Sequence, residues 1–319
     1  MAGKEGQAIS AVRFQLLGNF KSWYNVWYRV HVTNKGWMGW AKNSALAGTD
    51  WVAGASTKAY AVDAVQVKVL RKTAKAPSTS AKPYEYLRQL NGVDISGHNY
   101  PFDMSRLDAE FVIIKATEGT DGTIYNPSYA QWADDAIAEG KLVGFYHYAN
   151  AKKKNASDAI AEADCFYEAI KAYKGRAIAC LDWESVTYAS GYVDNTVFGT
   201  TAEARWCKTF LDRLKSKFGG TPFLYTGKYA SQNDYWEDVA SSYPLWGAQY
   251  ASNDPVYGYQ ANPWTSVYYW GPWGAKPTIF QYSGNGWLEN GGKPEGYNNQ
   301  ALDLDLFYGT RASWGTYLQ

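Results

Sequence analysis

Cysteine and histidine are scarce in this chain, with three of each among 319 residues. Cys165, Cys180 and Cys207 are odd in number and lie in apolar or helical surroundings, which argues against a disulfide framework and marks them as buried thiols. His31, His98 and His147 are dispersed, no Cys or His pair has zinc-ligand spacing, and no calcium-loop pattern occurs, so neither a metal nor another cofactor is expected. A GxSxG elbow and a phosphate-binding glycine loop are also missing, which removes serine hydrolases and nucleotide enzymes from contention. No apolar run reaches the roughly 18 residues that span a bilayer. The opening MAGKEGQAIS lacks the apolar core of a secretory signal. Neither membrane insertion nor a signal peptide in this chain is therefore expected.

Apolar material is plentiful, at 46% hydrophobic against 19% charged residues, which excludes disorder and supports a real core. The length suits one large domain and one small one. Charge divides the same way. Residues 1–90 carry 13 Lys and Arg against 4 Asp and Glu (+9), and the remainder 18 against 26 (−8), which together give the net +1. A basic module is thus joined to an acidic one. No nucleic-acid-binding motif accompanies the basic half, so nucleic acid is not an expected partner, and other anionic polymers attract cations by the same physics.

The stretch KTAKAPSTSAKP (72–83) has no apolar period and reads as a linker, placed at 72–85. Before it, VDAVQVKVL (62–70) alternates like a half-buried strand, and ISAVRFQLL (9–17) repeats that pattern position for position, so the two are expected to be equivalent strands. Between them, short alternating runs broken by Gly and Asn make residues 1–71 a small all-β domain. Through YRVHVTNKGWMGWAKN, AGT and AVDAVQVKV these residues resemble the clostridial hydrophobic (ChW) repeat, a surface-associated module. Asp50, Trp51 and an insertion through Ser56 depart from the pattern. The resemblance implies attachment to a cell surface or wall polymer, with Trp37 and Trp40 as candidate sugar-stacking residues. The alternative is that both tryptophans fill the core of a small domain.

After the linker, residues 86–319 change to strands alternating with helices. Strand candidates are 92–95, 111–115, 142–148, 177–182, 222–226, 245–250, 278–283 and 302–307, eight in all. Helical stretches occur at 128–140, at 155–173 with Asn155 as a cap, and at 201–218, and none separates the last three strands. The fold class is therefore α/β, an irregular (β/α)-barrel of eight strands with few late helices, beside the small N-terminal all-β domain.

In such barrels functional side chains gather at the carboxyl ends of the strands. Asp94 ends GVDI, Asp182 and Glu184 lie in LDWES, and Asp303 lies in the final strand. Residues i and i+2 of extended chain face the same way, so Asp182 and Glu184 share a face while Trp183 points oppositely. Glycoside cleavage needs a protonated acid at the leaving oxygen and negative charge near an oxocarbenium-like centre, and crowded carboxylates supply both. Glu184, with the longer reach, is the candidate general acid. Same-face neighbours lie about 7 Å apart at the backbone, which leaves the stereochemical route open.

Eight segments (GVDISGHN, FVIIKATEGT, VGFYHYA, LDWES, LYTG, LWGAQY, IFQYS and LDLDLF) occur in family order, and residues 90–310 resemble the glycoside hydrolase family 25 lysozymes. The resemblance implies cleavage of the β-1,4 bond between N-acetylmuramic acid and N-acetylglucosamine in bacterial peptidoglycan, with the substrate's own acetamido group assisting. It also implies that Glu184 is the acid, that Asp182 orients or stabilises the acetamido group, and that Asp94 and Asp303 complete the acidic site. Asp305 stands where Asn is common, and alternation places it on the face of Asp303. Tyr146, Tyr148, Glu118, Tyr225, Gln281 and Trp270 are candidate substrate-binding residues, Trp270 belonging to an aromatic loop with Trp264, Tyr268, Tyr269 and Trp273 that suits glycan stacking. The expected setting is extracellular or in the cell wall, reached by secretion or phage lysis, with a secondary wall polymer as a further partner through residues 1–71. An inactive, carbohydrate-binding barrel is the alternative. A chitinase is not, because Cys180 occupies the place of the middle Asp in the longer D-x-x-D-x-D-x-E run that such enzymes carry.

Overall fold

A computed structural model describes residues 9, 11–33, 35–45, 47–49, 61–78, 80–85, 89–120, 126–184, 186–187, 193–194, 201–260, 263–265, 269–274, 276–288 and 301–319. The chain divides into two compact units, Met1–Arg88 and Gln89–Gln319.

The first unit holds β1 (Ala11–Val12), α1 (Phe20–Trp23), β2 (Tyr24–Val32), β3 (Gly36–Trp37), β4 (Ala41–Lys42), β5 (Ala47–Thr49), β6 (Val62–Arg71) and β7 (Tyr84–Glu85). Strand β2 is the organiser. It pairs antiparallel with β3, β4 and β6. Its strict alternation buries Val26, Tyr28, Val30 and Val32 on one face, where Met38, Ala41 and Ala47 complete the core. The Tyr28 hydroxyl donates to the carbonyls of Asn43 and Ala45, so the phenol is satisfied inside. Core filling thus falls to Tyr28 and not to Trp37 or Trp40.

Two expectations fail here. ISAVRFQLL is not the equal of VDAVQVKVL: only Ala11–Val12 is strand, paired with β5, whereas Val62–Arg71 is a ten-residue strand on β2. Alternation specifies a strand only where a partner edge exists, and residues 13–17 find none among the described residues. The stretch expected as a linker is also partly structured. Gly39 N–H donates to Lys82 O, Gly48 N–H to Pro83 O, and Tyr84–Glu85 pairs parallel with β5. A two-residue strand is too short to leave a period in the sequence.

In the second unit come β8 (Leu90–Ile95), β9 (Phe111–Glu118), α2 (Tyr129–Ala138), β10 (Leu142–Tyr148), α3 (Ala156–Ile170), β11 (Ala177–Asp182), the short pair β12 (Val186–Thr187) and β13 (Val193–Asp194), α4 (Thr201–Phe218), β14 (Phe223–Gly227), α5 (Lys228–Ser231), α6 (Glu237–Ala240), β15 (Leu245–Ala248), β16 (Val256–Tyr257), β17 (Ile279–Trp287), β18 (Leu302–Phe307) and α7 (Arg311–Gly315). The eight anticipated strands close a barrel in the order β8, β9, β10, β11, β14, β15, β17, β18 and back to β8. All neighbours are parallel except β18, which runs antiparallel to both β17 and β8. Parallel neighbours require a crossover, usually helical, and no helix lies between β17 and β18 among the described residues.

Alternation then sorts side chains inward and outward. Phe111, Ile113, Ile178, Cys180, Trp246 and Phe307 fill the barrel, and Trp314 of α7 plugs its lower end between Phe111 and Phe307. Gly92 has no side chain because the Phe111 ring occupies the space where a Cβ would stand, 2.4 Å away. Outward residues meet α2, α3 and α4, with Trp183 packed on Trp206 of α4. Helix α3 starts where expected, Asn155 accepting from Asp158 N–H at 3.0 Å.

A buried polar knot ties α3 to the sheet. Glu162 accepts from the His147 ring at 3.0 Å and from the amides of Asn150 and Ala151 at 3.1 and 2.8 Å, while His147 also bonds the Thr117 hydroxyl. Glu162→Ala orphans three buried donors at roughly 1–3 kcal/mol each, so the second unit is expected to lose about 3 kcal/mol in urea denaturation. A loss under about 1 kcal/mol would show that the knot holds nothing.

Candidate active site

The barrel's parallel strands all end at one mouth, and β18, running the opposite way, begins there. Asp94 near the end of β8 therefore stands directly opposite Asp303 near the start of β18. Asp182 closes β11, and Glu184 follows two residues later on the same side. The four acids predicted from the sequence arise from three strands and meet at this mouth.

Asp305 is a fifth. It is fully buried one pleat below Asp303, with Trp246 Nε1 donating to Oδ1 at 2.8 Å. Gln281 is the hub of the mouth: its Nε2 donates to Asp94 Oδ2 at 2.6 Å, and its Oε1 accepts the hydroxyls of Tyr225 at 2.8 Å and Tyr250 at 2.7 Å. The amide's two ends thereby fix an acid and two phenols at once.

Burial raises all five carboxyls, and repulsion by neighbouring acids adds to it at Asp94, Asp182, Glu184 and Asp305. For Asp94 the causes are desolvation, then the charges of Asp303 and Asp305, against which the Gln281 hydrogen bond works. For Asp182 they are desolvation, then Glu184, with Lys115 opposing. Glu184 is lifted to about 7 by desolvation and then by Asp303, again opposed by Lys115. Asp303 is lifted to about 6 and Asp305 to about 8 by desolvation, each eased by a hydrogen bond with Asp94. Asp182 Oδ1 is buried with no hydrogen-bond partner among the described residues.

Among the other predicted residues, Tyr146 lies inside the barrel, its ring edge-on to Trp246 at 6.0 Å, and its phenol is pushed up by desolvation and then by the surrounding acids. Tyr148 is half-buried with the Lys115 ammonium 4.9 Å from its ring centre. Glu118 accepts from that ammonium at 2.7 Å, so it anchors a cation that favours ionised Asp182 and Glu184.

Trp270 departs from expectation. It is 1% exposed and fills the space beside Gly247, where a Cβ would meet its ring at 2.4 Å, and the Lys228 ammonium lies 4.3 Å from its ring centre. A ring so enclosed has no face for sugar. Its neighbours Trp264 and Tyr269 are exposed, Trp273 is half-buried and donates to Tyr243 O at 2.8 Å, and Tyr268 falls outside the described residues.

Lys115 and Tyr250 were missed by the sequence reading. Lys115 had a visible signal, since FVIIK alternates and places it inward with Phe111 and Ile113. Tyr250 closes the strand expected at 245–250, on the face of Trp246, but was not singled out there; the observed β15 ends at Ala248.

Residues 93–290 match the family described as glycosyl hydrolases family 25, and residues 31–50 match the one described as clostridial hydrophobic W. The chain is 25% identical to an N,O-diacetylmuramidase of Arthroderma benhamiae over 213 residues, covering 64% of this chain and 83% of that protein. It is 32% identical to an N,O-diacetylmuramidase of Chalaropsis sp over 148 residues, covering 43% and 65%. Among solved structures, a bacterial lysozyme from Streptomyces coelicolor superposes with a TM-score of 0.53 at 24% identity, over 72% of this chain and 97% of that one. A family GH25 lysozyme from Aspergillus fumigatus does so at 0.52 and 22%, over 73% and 100%. These two likenesses are likenesses of fold.

Asp305 generates a prediction about stability. Folded, it keeps its proton to about pH 8, whereas the unfolded chain releases it near the ordinary carboxylate value. The folded state therefore binds more protons in between, and stability falls as pH rises through that window. Asp305→Asn removes this penalty. Its gain in Tm over the parent is expected to be absent near pH 4, to grow with pH and to level off above pH 8. A gain that does not change with pH would mean that residue 305 carries no buried charge.

Proposed function

We propose, from the premise that this chain belongs to glycosyl hydrolase family 25, that it hydrolyses bacterial peptidoglycan at the β-1,4 bond between N-acetylmuramic acid and N-acetylglucosamine, with Glu184 as the proton donor. The observation that carries the assignment is the position of Glu184: half-buried at the barrel mouth, beside Asp182, and holding its proton to about pH 7 under desolvation and the charge of Asp303. Such an acid is protonated at working pH yet weak enough to take the proton back.

Asp182 supports the complementary half. Its unpartnered Oδ1 suits the N–H of a 2-acetamido group, and a carboxylate there draws the amide proton and sharpens the carbonyl oxygen for attack on the anomeric carbon. The two roles reinforce each other. A protonated Glu184 no longer repels Asp182, and Lys115 then favours the Asp182 charge. Glu184 gives its proton to the leaving oxygen as the acetamido oxygen closes on carbon, and afterwards accepts one from the water that opens the ring. Asp303 maintains the field around Glu184 and is hydrogen-bonded in turn to Asp94, while Gln281, Tyr225, Tyr146 and Tyr148 shape the walls. The alternative of an inactive binding barrel loses its ground, since the acids the reaction demands are all present at one mouth.

No helix among the described residues is long and apolar enough to cross a membrane. The proposed place of action is the cell wall, outside the membrane, with the first unit holding the enzyme to a wall polymer through the face that carries Trp37 and Trp40.

Glu184→Gln is expected to lower the release of muropeptides by 10²–10⁴-fold, the usual worth of a general acid. The products of the parent enzyme should carry muramic acid at the reducing end by mass spectrometry, and N-acetylglucosamine there would overturn the bond assignment. Because only protonated Glu184 is active, the rate should fall about tenfold per pH unit above about 7. A chain starting at residue 89 is expected to keep its rate on soluble glycan and to lose potency on whole cells, equal potency on both ruling out an anchoring role.

A further inference from the structure

The side of β2 turned away from the core carries Trp27, Arg29 and His31. Pairing register sets His31 opposite Trp37, Trp27 opposite both Lys42 and Lys68, and Arg29 opposite Gln66. Residues paired in this way share a face, so cations and indoles alternate across one side of the sheet. The distances bear this out. The Arg29 guanidinium carbon lies 4.7 Å from the Trp37 ring centre and 5.0 Å from that of Trp40. Lys68 Nζ is 5.0 Å from Trp40, and Lys42 Nζ is 5.5 Å from Trp27. Trp37 is 43% exposed.

The cations are held in place. Arg29 Nε donates to Gln66 Oε1 at 2.8 Å, which fixes the guanidinium and leaves its outer N–H groups to solvent. Indole faces restrain both lysines. The one carboxylate on this face, Asp63, bonds His31 at 2.6 Å, and no ion pair ties Arg29, Lys42 or Lys68 to a carboxylate among the described residues. A sugar-stacking surface for neutral glycan needs indoles without three uncompensated cations. A ligand with anions at intervals and apolar ring or polyol faces between them needs both.

We propose that this face binds a wall polymer whose sugar or polyol units are joined by phosphodiester links, with Arg29, Lys42 and Lys68 meeting phosphates and Trp37 and Trp40 meeting the units between them. The proposal rests on the wall-directed reading of the enzyme, and the +9 charge of residues 1–90 complements such a polymer.

The test uses the full chain carrying Glu184→Gln, so that walls stay intact, in co-sedimentation with purified Gram-positive walls before and after hydrofluoric acid treatment, which removes phosphodiester-linked polymers and spares the glycan. Affinity is expected to fall at least tenfold on treated walls. Arg29→Gln with Lys68→Gln should weaken binding to untreated walls about tenfold and flatten its salt dependence, while the same pair placed in the active chain leaves release from soluble glycan unchanged. Poly(glycerol phosphate) should displace the protein from untreated walls. Equal binding to treated walls, parent-like binding by the double variant, or displacement by double-stranded DNA as readily as by poly(glycerol phosphate) would each overturn the proposal. Failure of the cleavage reading would appear in the products and leave these binding results as they are.

Discussion

A carboxylate taken out of water loses several kcal/mol of solvation even after the protein relaxes around it, and this barrel takes Asp94, Asp182, Glu184, Asp303 and Asp305 out of water together. Two responses are open to such a group: find a cation or keep protons. The nearby cation, Lys115, is already engaged by Glu118, so protons do most of the work. The features around the mouth follow from that choice. Trp246 and the Gln281 side chain supply fixed N–H donors where they relieve Asp305 and Asp94, and desolvation leaves Glu184 able to exchange its proton near neutrality. Binding a hydrogen-bond donor at Asp182 would remove one more piece of the same strain.

The architecture explains how so much charge is brought into one place. Of the seven parallel strands, β8 and β11 bring Asp94 and the Asp182–Glu184 pair to the mouth at their ends, and the eighth, reversed, contributes Asp303 from its beginning. Beneath this layer the interior turns apolar, from Ile178 and Cys180 to the Trp314 plug, which keeps water from reaching the carboxyls from below. The His147 and Glu162 knot stands on the outer side of the same sheet, where it fixes β10 against α3 and so fixes the strand that carries Tyr146 and Tyr148.

Much of this was legible beforehand because it depends on local pattern. Eight alternating or apolar runs, three helices and the Asn155 cap are short-range signals, and the acids announce themselves by lying where strands end. What escaped depends on packing at a distance. Trp270 reads like its exposed neighbours until Gly247 is seen to leave room for its ring. The alternation of ISAVRFQLL is real, yet most of it finds no partner strand among the described residues. Lys82, Pro83 and Tyr84 look like spacer until Gly39 claims the first and the edge of β5 the other two. Tyr250 joins the Gln281 hub from beyond the end of its strand, a placement that only the closed barrel produces.

The reversal of β18 has a bearing on the order of synthesis. This strand completes the barrel by joining β17 to β8 and also delivers Asp303, with the plugging helix directly after it. A nascent chain that has not yet emerged as far as β18 has an open sheet, an unlined floor and an incomplete acidic ring. The acidic ring is therefore whole only on chains that have been made through β18 and α7.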